Sequence, residues 1–77
     1  MLTMSEDITE LELEVLRIIL NDSHRPAAIT RILKKKHIDC DQNKVVQALQ
    51  SLEARDLVER YTTKTWIGKS KAESYFS

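Results

Sequence analysis

Around Asp56 the apolar residues of this chain change their spacing, from about 3.6 residues to about two. Upstream of that point three segments carry helical stripes. Downstream, Leu57-Val58-Glu59-Arg60-Tyr61 and Thr65-Trp66-Ile67 are rich in branched and aromatic residues and read as two strands. Thr62-Thr63-Lys64 joins them as a short hairpin loop. One Gly and one Pro in 77 residues argue against a turn-rich all-β fold. The expectation is a single α+β domain over 1–77, mostly helical, with residues 1–8 as an N-terminal arm and 69–77 as a C-terminal extension.

The first helix is expected from Glu10 to about Leu20. Thr9 caps it, and Glu12 stands three residues on in the capping-box position. Leu11, Val15, Ile18 and Ile19 form one apolar stripe; Leu13, Leu16 and Leu20 form a second on another side. Pro26 suits the first turn of a second helix that runs to about Lys36. Ala28, Ile29, Ile32 and Leu33 face inward there. Lys34, Lys35 and Lys36 close it, where the helix dipole favours cations. Asp39 or Asp41 caps a third helix that ends near Arg55. Val45, Leu49 and Leu52 are its inward stripe, flanked by Val46 and Ala48.

Composition excludes several classes of protein. With 42% hydrophobic and 31% charged residues, the chain is too apolar for a disordered tail. No apolar run is long enough to span a membrane, and the acidic start lacks the pattern of a secretory signal. The lone Cys40 fits a reducing cytoplasm. With His24 and His37 it makes too few ligands for a closed zinc site, and the aspartates beside His37 are explained by capping. No phosphate loop or nucleophile motif supports catalysis, and no cofactor or small-molecule effector is implied.

The net charge is zero, but it is unevenly spread. Residues 1–22 hold six acids against one base, a balance of −5; residues 23–77 hold 11 bases against six acids, a balance of +5. One region therefore suits a polyanion and another does not.

Leu49-Gln50-Ser51-Leu52-Glu53-Ala54-Arg55-Asp56-Leu57-Val58-Glu59-Arg60 resembles the "L-x-x-L-E-x-x-G-L-V-x-R" stretch of MarR-like and related winged helix-turn-helix regulators. In that family the third helix runs into the wing at this stretch. Trp66-Ile67-Gly68-Lys69-Ser70-Lys71-Ala72 is similar to the "Y-x-L-T-x-K-G" segment that closes the wing. Asp56 stands where the family has Gly, at a position that needs positive φ. Gly68 replaces the Thr, and Ala72 replaces the Gly. Winged-helix domains that bind left-handed DNA carry an Asn and a Tyr where this chain has Val46 and Gln50, which argues against that specific activity. The resemblance implies three helices, a two-stranded wing and a short C-terminal helix. It also implies binding of double-stranded DNA in transcription regulation, with the third helix in the major groove and the wing on the backbone.

On chemical grounds Asn43, Gln47 and Ser51, spaced i, i+4, i+8, are expected to contact bases, with Gln50 at their margin. Phosphate contacts are expected from Arg31, Lys34, Lys35, Lys44, Arg55, Arg60, Lys64, Lys69 and Lys71. Trp66 and Tyr61 read more readily as structural residues. A protein-interaction module without DNA binding is the other reading, and the zero net charge favours it.

A winged-helix core of this size consumes one apolar stripe of the first helix. Leu13, Leu16 and Leu20, with Tyr75 and Phe76 and the terminal Leu2 and Met4, are therefore expected to hold a homodimer together. The competing expectation is that the wing and C-terminal segment cover that stripe within one chain.

Overall fold

The computed structural model describes residues 8–76. Its element order is α1 (Glu10–Ile19), α2 (Pro26–Lys35), α3 (Gln42–Ala54), β1 (Val58–Arg60), β2 (Trp66–Gly68) and a 3-10 helix over Ser70–Tyr75. This is a small, mostly helical α+β domain in which three α-helices carry a two-stranded antiparallel sheet.

Local chemistry starts and stops each helix. At α1 the Thr9 hydroxyl accepts the Glu12 N–H at 3.1 Å, and the Glu12 carboxylate accepts the Thr9 N–H at 2.8 Å. The capping box thus satisfies two otherwise orphaned donors. Pro26 opens α2 at a position where no N–H is needed. Of the two candidate caps of α3, it is Asp41 that serves, accepting the Lys44 N–H at 2.8 Å.

The C-termini of α2 and α3 share one device. His37 and Asp56 both adopt φ 64°. The Ile38 N–H then reaches the Leu33 carbonyl, and the Leu57 N–H reaches that of Leu52, each at 3.0 Å. In both cases the donor and acceptor residues are apolar, as the Schellman motif favours. The positive φ expected at Asp56 is present.

The core is continuous across all elements. Val15, Leu16, Ile19, Ile29, Leu33, Val45, Leu49 and Leu52 have no exposed surface. At about 1.5–3 kcal/mol for each large apolar side chain, this burial is what holds the three helices together.

β1 and β2 pair with Glu59 opposite Ile67. The sheet is tied to the helices by a connection the sequence did not disclose. His24, in the connection between α1 and α2, pairs with Trp66: the His24 N–H meets the Trp66 carbonyl at 3.0 Å, and the Trp66 N–H meets the His24 carbonyl at 2.9 Å. Gly68 seats β2 against the end of α1. A Cβ there would lie 3.0 Å from the Leu20 Cα and 3.3 Å from the Ile19 carbonyl oxygen, so a side chain would meet backbone.

The 3-10 helix folds back over α1. Ala72 is fully buried, and Tyr75 and Phe76 pack half-buried against the core. The Arg17 guanidinium lies 5.4 Å from the centre of the Phe76 ring. Of the expected dimer residues, Leu16 is corrected here. Leu16 is wholly buried in its own chain, within the core that α1 shares with α2, α3 and β2. Leu13 and Leu20 are half-buried. Leu2 and Met4 lie outside the described residues. No helix among the described residues is long and apolar enough to cross a membrane.

Candidate nucleic-acid interface

A groove opens where the start of α2, one flank of α3 and the sheet hairpin converge. Its volume is about 350 Å3. Arg25, Arg60 and Lys64 supply cations to it, Gln42 and Gln50 supply amides, and Pro26, Ala27, Val46 and Trp66 supply carbon surface. Among the described residues, no carboxylate lines it.

Each wall has a local cause. Arg25 precedes α2 in extended conformation and makes no side-chain cap, so its guanidinium is not spent on the helix. Arg60 ends β1 with its guanidinium 4.9 Å from the centre of the Trp66 ring, a cation–π contact that fixes a long side chain against the sheet. Trp66 itself is only 6% exposed, in keeping with its structural reading, whereas Tyr61, read the same way, is 64% exposed and not part of the core. The hairpin tip is ordered by Thr62. Its hydroxyl accepts the N–H groups of Lys64 at 3.2 Å and Thr65 at 3.1 Å, and bonds the Thr65 hydroxyl at 2.7 Å. Lys64 is thereby presented at the mouth of the groove.

The expected base-contact residues fall into three places. Asn43 and Gln47 are exposed on the outward face of α3. Gln50 lines the groove. Ser51 differs from them: it is half-buried and close enough to Glu12 of α1 for its hydroxyl to stabilise that carboxylate. It sits about 80° round the helix from Asn43, enough to turn it toward α1 rather than outward.

The expected phosphate contacts also divide. Arg60 and Lys64 belong to the groove. Arg31 and Lys34 are exposed and share a helix face with the groove-lining Ala27, so they continue its positive rim along α2. Lys35 and Lys44 are exposed elsewhere on their helices. Arg55 is half-buried and close enough to Glu12 to act on its charge. Lys69 bonds Asp56 at 2.6 Å, and the charge of the exposed Lys71 also acts on Asp56. These last three surround the end of α3 and not the groove. Sequence reasoning missed Arg25 and Gln42, which sit in or beside a loop and reach the site only through the fold.

Two carboxylates are held below their ordinary range. Burial alone would raise Glu12, but the Ser51 hydroxyl, the Thr9 backbone and hydroxyl, and the charge of Arg55 outweigh it. Asp56 is lowered by its bond with Lys69, which is raised in turn by the same bond. Both carboxylates are thus committed to structure and leave the groove free of negative charge. No three His, Cys, Asp or Glu side chains gather as metal ligands among the described residues. Comparison with protein-family models, curated proteins and solved structures finds no match for this chain.

Proposed function

We propose that this chain is a winged helix-turn-helix domain that binds double-stranded DNA as part of transcription regulation. In this reading α3 enters the major groove and the β1–β2 hairpin is the wing. The observation that carries it is the groove between them, with three cations and two amides and no carboxylate in its described lining. DNA affinity comes chiefly from neutralised phosphates, and Arg25, Arg60 and Lys64 converge where a backbone running between α3 and wing would pass. Asn43 and Gln47, exposed on α3 beside that path, offer amides able to pair with adenine. The element order supports the fold: a bridging residue between α1 and α2 joins the hairpin to the helices, which makes the wing a fixed part of the body.

Fluorescence anisotropy on random duplex DNA over a range of salt tests this. Affinity should fall steeply with salt. Lys64→Ala should weaken all sequences alike and lower the slope of log K against log salt by about 1. Gln47→Ala should instead change preference at one base pair by about 1–3 kcal/mol. An unchanged anisotropy at low salt would overturn the reading. It would favour a protein-interaction module, the alternative to which the zero net charge points.

A further inference from the structure

The groove is chemically richer than a phosphate needs. A phosphodiester gains from cations and amides but nothing from carbon surface. Yet Pro26, Ala27, Val46 and Trp66 contribute a large apolar part of this lining. An apolar floor beneath a cationic rim matches an anion that also has a flat apolar face. At about 350 Å3 the groove sits at the small end of ligand pockets, which run roughly 300–1,000 Å3.

We propose that the groove accepts a single unpaired nucleotide of the bound DNA, its base laid on the Arg60–Trp66 pair and its phosphates held by Arg25 and Lys64. The inference rests on the DNA-binding reading. In a paired duplex the faces of the bases are covered by their neighbours, so only an unstacked nucleotide presents a flat apolar face to this floor. Arg60 is exposed while Trp66 beneath it is buried. The guanidinium carbon lies 4.9 Å from the centre of the Trp66 ring, so Arg60 covers the ring from outside and offers a base the next surface to lie on. Because the cation–π contact holds Arg60 before binding, little side-chain freedom remains to be lost. Gln42 and Gln50 line the same groove and can reach the hydrogen-bonding edge of a base in it. The competing occupant, an apolar side chain of another protein, would leave the three cations of the rim without counter-charge.

The test compares three labelled DNAs by anisotropy: a paired duplex, the same duplex with one unpaired nucleotide, and that bulge with its base removed. The abasic bulge bends as easily as the intact one, so it separates stacking from flexibility. The intact bulge should bind about tenfold tighter than the other two, the order expected of one stacked base. Trp66 is the sole tryptophan of the chain, and its fluorescence should change with the intact bulge alone. Ala27→Leu, which places carbon in the groove from the exposed first turn of α2, should bring the affinity ratio of bulge to duplex to about one. Equal binding of paired and bulged DNA overturns the inference while leaving duplex binding intact. Equal gain from the abasic bulge overturns it too. Tight binding to the intact bulge without binding to the paired duplex supports it and removes the duplex reading. Binding to none of the three removes both.

Discussion

His37 and Asp56, each at φ 64°, hold a backbone conformation that costs a residue with a Cβ about 1–2 kcal/mol. His37→Gly removes that strain, which outweighs the added freedom of the unfolded chain. Stability by urea unfolding should rise by about 0.5–1 kcal/mol. Asp56→Gly should gain less, because Asp56 also bonds Lys69. Glu12 gives the domain an acid sensitivity. Its folded pKa lies below the ordinary 4.5, so its contribution is complete above that value and is lost as pH falls through the folded pKa. Glu12→Gln should therefore narrow the difference in Tm between about pH 7 and about pH 3. The lowered pKa of Asp56 has the same sign, so adding Asp56→Asn should narrow the difference further.

At the scale of elements, the close approach of β2 to α1 is carried by Gly68, whose neighbours are backbone atoms that cannot swing aside. Gly68→Ala should cost about 1–3 kcal/mol, read as a lower urea midpoint. The helices were legible because caps and stripes are local signals. Thr9 with Glu12 specifies the start of α1 within one turn, and Asp56 announces the end of α3 by standing where positive φ is required. The direction of Ser51 was not legible, because an i, i+8 spacing drifts round a helix and the partner that claims it lies on α1. Arg25 escaped notice for a related reason. The groove is assembled from α2, α3 and the hairpin, and no single stretch of sequence records that convergence. The His24–Trp66 pairing leaves no periodic trace, since one bridged residue is too short to have a period.

For the molecule as a whole, Leu16 is committed to the core of its own chain while Leu13 and Leu20 stay half-buried, and sedimentation at micromolar concentration should show a species of 8.9 kDa. Leu16→Ala should leave that mass unchanged while costing about 2–5 kcal/mol, a large share of the roughly 5–15 kcal/mol available to a domain. A heavier species that Leu16→Ala dissociates would contradict this. The bridge between His24 and Trp66 has a consequence in time. Its partners are separated in sequence by all of α2, α3 and β1, so it forms only after a long loop closes, and such contacts are slow to appear. The amide protons of His24 and Trp66 are therefore late to gain protection during refolding. Once formed, the bridge ties the hairpin to the helices. Those two protons should exchange with solvent as slowly as amides in the middle of α3, whereas the hairpin tip at Thr63 and Lys64 exchanges early.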